Sequence, residues 1–563
     1  MVAECTPVET RARDSAFVRQ CSLSGLQERL PLRWPTPPDT PPSPKRSYRS
    51  NYVYLGLADL EDWSNWQHLS DFDLVLRLVD FSGLRWVLAK LLGWISARGR
   101  RPFDPVSMFL LVCWQMVNQW NRAETLCNLK DPRYADYRQW FGFQAEDPTE
   151  GGVRYFLTTL GLNATAEDDT VTVGLDHGQA VAIAVKHLNQ LIAASVALIR
   201  EADLVSPEAW ERALVCPDGM IHDAASRMRC AFVQASCYRP ISAGESRPCP
   251  AKEKDKPGCD CELFACALSC RRAPARDPEA RCVVYAGTND TNRSTHASLD
   301  EEEQGELRYG YRSLTLQFAE PLRRFSFVLL DDFLAANARE ENPTAALLLQ
   351  LKHFYPDLQL DVVAGDAGLG YYSFLHVAHQ LGAKRVVDLR SDPSDRRKAE
   401  WPIRGYNDKG RPVCPFGYAL TSNGFDVQRR RHKWFCGQTC LRGTAPLVEL
   451  DQVIYPPQAC AYQHPERPHG QIVNVGETFR NGSIRLVRDT PVGTPAWKRF
   501  YHRARNASEY RNALLEGWGL KRCSLYGQPR NRTLIALADV WLNLTTLARL
   551  VREATAADRN QPA

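Results

Sequence analysis

No continuous run of strongly apolar residues is read in this chain that is long enough to cross a bilayer. The longest strongly apolar stretch, Met108–Trp114, is far short of the roughly 20 residues a span requires. The N-terminus also lacks a basic segment followed by an apolar one, so no secretory signal is read there. Without such a signal the 18 cysteines are expected to be reduced thiols rather than disulfides. There is no internal repeat, which excludes solenoids and propellers. At 563 residues the chain is too long for a disulfide-stapled miniprotein, and its length suggests about three or four domains. With 44% hydrophobic and 24% charged residues, its composition is that of an ordinary soluble globular protein.

A strong net charge is missing too, but the value of +5 conceals an uneven distribution. From Lys384 to Arg442 there are 14 Lys/Arg against 6 Asp/Glu, and from Arg480 to Arg532 there are 12 against 3. A charge run is usually a solvated face. Here, however, the arginines alternate with Trp401, Tyr406, Phe425, Trp434, Phe435, Phe500 and Tyr501. Arginine forks fit phosphates and aromatic faces stack on bases, so the pattern points to a polyanionic partner.

The polar, proline-rich residues 1–50 read as a disordered leader, and 553–563 as a disordered tail. Residues 51–205 are patterned as a helical N-terminal domain, with helical spacing over Asp71–Leu92, Pro105–Trp120 and Val181–Leu204. The pattern changes at Ala213. ALVCPDGMI is a short apolar run carrying Asp218-Gly219 at its end. Tyr309–Ala319 and Arg324–Phe333 read as strands, Pro343–Phe354 as a helix, and Leu358–Gly368 as a strand ending at Asp366. A helix over Tyr372–Leu381 and a strand over Ala383–Arg390 follow. This order describes an α/β unit over 206–552: a mixed sheet flanked by helices. It is interrupted by a Cys-rich insertion at 228–300 and a basic insertion at 391–494. A helix over Arg505–Glu516, stopped by Gly517 and Gly519, and an apolar helix over Leu534–Val551 complete the chain.

Asp218 and Asp366 each precede or lie near a glycine at the edge of an apolar run. Either alone is most often a turn residue or a helix cap. Glu509 shares one helical face with Tyr501, Arg505 and Glu516, where an Arg505–Glu509 pair is worth only a few tenths of a kcal/mol. Two strand-borne aspartates and one helix-borne glutamate also form the kind of hard oxygen set that suits Mg²⁺ or Mn²⁺. Asp223 and Asp361, each five residues from a chosen aspartate, compete for the same roles, as do Asp331 and Asp332.

The order DG, DAG, then R-x3-E, with three strands and a strand–helix alternation around the two aspartates, resembles the DDE transposases of bacterial insertion sequences. GRRPFDPVSMFLLVCWQM (Gly99–Met116), EGGVRYFLTTLG (Glu150–Gly161), YGYRS (Tyr309–Ser313) and GLKR (Gly519–Arg522) fit one branch of that group, which carries a helical N-terminal domain. The resemblance implies an RNase-H-like catalytic fold. It makes Asp218, Asp366 and Glu509 a Mg²⁺-binding catalytic triad. Tyr501 and Arg505 correspond to the tyrosine and arginine of a tyrosine–arginine–glutamate–lysine signature that contacts element-end DNA. The lysine position holds Glu516, leaving Lys521 or Arg522 to meet phosphate. Arg429, Arg430, Arg431 and Trp434 of the basic insertion are further expected DNA contacts, and Trp401 or Trp434 would hold an extruded base. The resemblance also implies strand cleavage and strand transfer on double-stranded DNA, a homodimer on paired ends, and a place in the bacterial cytoplasm at the nucleoid. Two rival assignments are a non-catalytic, zinc-dependent DNA-binding protein derived from a transposase and a simple nuclease of the same fold.

Eight cysteines, Cys230, Cys237, Cys249, Cys259, Cys261, Cys266, Cys270 and Cys282, fall within 53 residues of polar sequence. So dense a cluster with little apolar content points to structural zinc, which would supply folding energy the segment otherwise lacks. Cys414, Cys436, Cys440 and Cys460, with His432 nearby, read either as one more zinc site or as incidental cysteines. Cys113 and Cys127 lie in helical apolar surroundings and read as core or incidental.

Overall fold

The computed structural model describes residues 26, 28–36, 47–56, 65–94, 101–166, 169–174, 180–226, 238–242, 245–248, 277–285, 306–320, 325–387, 405–406, 411–414, 416–426, 428–429, 431–442, 466–476 and 495–559. Within them the chain is a mixed α/β structure.

Seven helices form the front of the described chain: α1 (Asp71–Leu78), α2 (Leu84–Leu91), α3 (Pro105–Val117), α4 (Arg122–Lys130), α5 (Ala135–Phe141), α6 (Glu150–Ala166) and α7 (Asn189–Glu201). Their starts follow local chemistry. Ser70 caps α1, and Asp104 caps α3 with Pro105 in the first turn. Asn121 and Glu124 cap α4 reciprocally. The helical spacing over Asp71–Leu92 is broken in the structure. Val79–Asp80 leaves the helix to pair in parallel with Leu32–Arg33, and Asp80 caps a short 3₁₀ turn before α2. Leu32 and Trp34 are thereby buried, which corrects the expectation that all of 1–50 is a disordered leader. The helix expected over Val181–Leu204 begins only at Asn189. Ala180–Val185 instead pairs antiparallel with Asp169–Gly174, because AVAIAV and DTVTVG alternate at the strand period.

The central sheet contains β1 (Ala213–Asp223), β2 (Glu306–Ala319), β3 (Ser326–Ala335), β4 (Leu360–Gly365) and β5 (Lys384–Val387), in the spatial order β3-β2-β1-β4-β5. The first three form an antiparallel meander, while β4 and β5 run parallel to β1. A short strand, Arg281–Tyr285, adds to β2. The parallel crossovers require helices, supplied by α8 (Glu341–Phe354) between β3 and β4 and α9 (Tyr372–Gln380) between β4 and β5. In the basic insertion, β6 (Thr421–Asp426), β7 (Arg431–Phe435) and β8 (Ile472–Gly476) make a separate antiparallel sheet.

Two long helices close the fold. The first, α10 (Pro495–Gly517), lies against β1, β2, β4 and β5. The second, α11 (Gln528–Arg559), packs on α1, α3, α6, α7 and β3. Both exceed their sequence-read lengths at the N-terminal end, α11 also runs on to Arg559, which corrects the expectation of a disordered tail from residue 553, and α10 stops where Gly519 takes a positive φ of 74°. By length and composition α11 would pass for a membrane span, but 94% of its apolar window is buried inside the fold. Its Trp541 ring lies 4.6 Å from Phe72 and 6.3 Å from Phe109. Burying each such ring contributes on the order of 1.5–3 kcal/mol. Gly161 permits the close approach of α6 and α11, since a Cβ there would meet the Pro529 carbonyl oxygen at 2.2 Å. The helical front and the sheet consequently share one continuous core, despite their different sequence patterns.

Candidate catalytic site

Val363 pairs with Val215 across the parallel strands β4 and β1, and three residues further along each chain Asp366 and Asp218 meet at one cleft, close enough for the Asp366 charge to act on Asp218. Asp366 follows the last residue of β4, as its sequence suggests. Asp218 does not end a strand. It sits within β1 opposite Thr315, and the strand continues to Asp223. Gly219 therefore has a different purpose from a turn. The Glu340 carboxylate occupies the space beside it, its Oε1 only 3.2 Å from where a Cβ at 219 would stand.

Asp218 and Asp366 line a cleft with Cys216, Tyr501, Arg505 and Ser508. Asp366 Oδ1 is buried without a hydrogen-bond partner among the described residues. Asn512 Nδ2 donates to Asp218 Oδ2 at 2.9 Å. Burial and the neighbouring Asp366 charge push the Asp218 carboxyl above its usual range, while Arg505, the Gly219 amide and Asn512 oppose the shift. Burial pushes Glu340 up to about 7, against its ion pair with Arg312, and the charges of Asp366 and Asp218 add to the rise.

The face of α10 that meets the cleft carries Tyr501, Arg505, Ser508 and Asn512. Tyr501 stacks on Trp497, with ring centroids 4.2 Å apart. Glu509 lies at the edge of this face, where its exposed carboxylate accepts from Arg505 Nε at 2.9 Å. The structure thus brings Asp218 and Asp366 together but turns Glu509 to Arg505. Among the described residues, no three His, Cys, Asp or Glu side chains are gathered closely enough to hold a metal ion.

The competing aspartates have other partners. Arg308 grips Asp223 through two hydrogen bonds of 2.8 and 2.6 Å, and Lys384 pairs with Asp361 at 3.1 Å. Asp331 and Asp332 are buried on β3, where burial and then Asp539 raise Asp331 to about 8. Sequence reasoning missed Glu340, Ser508 and Asn512. The last two could have been found by extending the Tyr501–Arg505 face by further helical steps. Glu340 has no sequence signal beyond its position just before α8.

Several expected DNA contacts are already engaged. Lys521 pairs with Glu516 at 2.7 Å, and Arg431 and Lys433 both meet Asp426, at 3.4 and 3.5 Å. Trp434 is partly buried, packed against the small core of Cys414, Phe416, Leu420 and Val473. Arg429 and Arg522 are exposed. Arg430 and Trp401 lie outside the described residues.

Cys414 and Cys436 come close enough to Cys440 for the thiols to oppose one another's ionisation. Amides of Phe416 and Tyr418 donate to the Cys414 sulfur, and the Gln438 amide to that of Cys436. Burial pushes the Cys414 thiol up to about 11, and the amides act against that shift. Cys460 and seven cysteines of the first cluster, Cys230, Cys237, Cys249, Cys259, Cys261, Cys266 and Cys270, lie outside the described residues, as does the side chain of His432. Cys282 is partly buried on the edge strand, while Cys113 is buried in α3 and Cys127 exposed on α4.

The chain matches no protein-family model and no curated protein sequence.

Proposed function

We propose that this chain is a DDE-type DNA transposase with an RNase-H-like catalytic core, cutting and joining DNA strands at the ends of an insertion sequence. The observation that carries the proposal is the meeting of Asp218, on β1, and Asp366, just past the end of β4, at one cleft, with a buried Asp366 oxygen lacking a partner. The meander β1-β2-β3 followed by parallel β4 and β5 supports the fold assignment.

The donor set fits a hard divalent cation: two carboxylates at one cleft, one oxygen unsatisfied, and Asp218 under repulsion that a cation would relieve. Asp218 and Asp366 would hold Mg²⁺ or Mn²⁺, with Glu509 as the third carboxylate. When bound, the cation supplies charge neutralisation for in-line displacement at phosphorus. Glu509 must exchange Arg505 for the cation. Arg505, once released, is placed at the cleft to meet a phosphate, and Tyr501 stands beside it to pack on the DNA. The chain contributes positioning and charge, with water and then a 3′-hydroxyl as successive nucleophiles. Paired DNA ends would be held by a homodimer.

The Arg505–Glu509 pair favours a second reading, a non-catalytic DNA-binding protein. Incubating an element-end duplex with the full chain and Mg²⁺ separates the two. Nicking is expected, with at least a ~100-fold loss in Asp366→Asn at unchanged thermal stability. An Asp366→Asn protein that nicks normally would remove the catalytic assignment. Joining of the 3′ end to target DNA distinguishes a transposase from a simple nuclease.

A further inference from the structure

We infer that Asn512 is a positioning residue that biases Asp218 toward one-oxygen ligation and thereby sets the site's preference for Mg²⁺ over Ca²⁺. The inference rests on the reading of the cleft as a divalent-cation site.

The orientation of the Asn512 amide is fixed from behind. Arg511 Nη1 lies 3.3 Å from one of its terminal atoms, and a guanidinium only donates, so that atom must be the oxygen. The amide nitrogen is therefore the atom directed at Asp218 Oδ2, 2.9 Å away. Arg511 is itself immobilised. Its Nε and Nη2 donate to Asp539 at 2.8 and 2.9 Å, in a pair whose side chains are 1% and 0% exposed. Arg511 Nη1 also donates to Ser313 Oγ at 3.3 Å. Buried His222 completes the chain. The Leu520 carbonyl can only accept, so His222 carries its proton on Nδ1 at 2.7 Å from it, and Nε2 accepts from the Ser313 hydroxyl at 2.8 Å. Every donor in the relay has one possible direction. It runs from the α10–α11 ion pair to the Oδ2 atom of Asp218.

With one Oδ2 lone pair taken by Asn512, ligation of a cation through both Asp218 oxygens is disfavoured and Oδ1 is the freer ligand. Mg²⁺ demands compact octahedral ligation and binds through few carboxylate oxygens. Ca²⁺ takes six to eight oxygens and readily uses a carboxylate through both. Removing the Asn512 donor frees the second oxygen and should favour Ca²⁺ selectively. General loosening of α10 would weaken both cations together.

Calorimetric titration of the full chain with Mg²⁺, and separately with Ca²⁺, tests this on wild type and Asn512→Leu, with thermal melting as the control for folding. The expected result is a fall of about tenfold in the Mg²⁺-to-Ca²⁺ affinity ratio, in keeping with the loss of one hydrogen bond to a charged group. An unchanged ratio in a variant that melts like wild type overturns the inference and leaves the catalytic proposal standing. If wild type binds neither cation, the metal-site reading itself fails, and the role of Asn512 with it. Should the leucine variant lose its melting transition, Asn512→Ser, which introduces no apolar bulk, carries the same comparison.

Discussion

Glu340 gives the cleft its expected response to pH. Its carboxyl is raised to about 7, chiefly by burial, with Asp366 and Asp218 adding to the shift against Arg312. A carboxyl whose folded pKa exceeds its unfolded value stabilises the fold most below the unfolded pKa, about 4.5. That contribution is lost as pH rises toward 7, because the unfolded chain ionises first. Asp218 is shifted in the same direction. Glu340→Gln keeps an oxygen for Arg312 and removes one negative charge. It is therefore expected to melt at a higher temperature than wild type near pH 8, with the difference vanishing near pH 4. Mg²⁺ should raise the wild-type melting temperature near pH 8 and have less effect near pH 4, where the raised Asp218 carboxyl takes up a proton. A melting difference between Glu340→Gln and wild type that is independent of pH would show that this carboxyl is not held up by its surroundings.

The elements of the sheet were legible because their apolar runs are bounded by turn residues and alternate with helical segments. The sequence-read strands over Tyr309–Ala319 and Arg324–Phe333 differ from β2 and β3 by a few residues at their ends. Ala180–Val185 was illegible as a strand, since six small and β-branched residues satisfy either period and only the facing Asp169–Gly174 decides. The role of Gly219 was equally hidden: the residue that needs its missing side chain, Glu340, lies more than a hundred positions away. At the cysteine loops, sequence spacing left two readings open; the fold brings Cys414, Cys436 and Cys440 near one another, short of a closed metal-holding group among the described residues, with amides directed at two sulfurs against the larger effect of burial. Such amides favour the thiolate, the form that binds zinc. The purified protein is expected to contain zinc, with Cys436→Ser lowering the content by about one ion per chain. Elemental analysis of both proteins after dialysis decides this. Equal zinc content would assign the three thiols to packing alone.

At the scale of the whole molecule, charge distribution matters more than the net +5. One arginine-rich stretch includes α10, whose Tyr501 and Arg505 line the cleft with the paired aspartates, and the other begins at β5, the strand beside β4. Part of this basic charge is neutralised internally by pairs such as Lys521–Glu516 and Arg431–Asp426, leaving exposed residues such as Arg429 and Arg522 available. The DNA binding proposed for this chain would be governed by counterion release, with log affinity falling by about 0.9 per phosphate contact for each tenfold rise in salt. For about six contacts, a slope near −5 is expected when anisotropy of a labelled duplex is followed between about 50 and 200 mM salt. Arg429→Ala should make that slope shallower by about one and weaken unrelated sequences equally, as loss of a phosphate contact does. A slope near zero would mean that the basic stretches are a solvated surface, and the cleft would then need a substrate other than DNA.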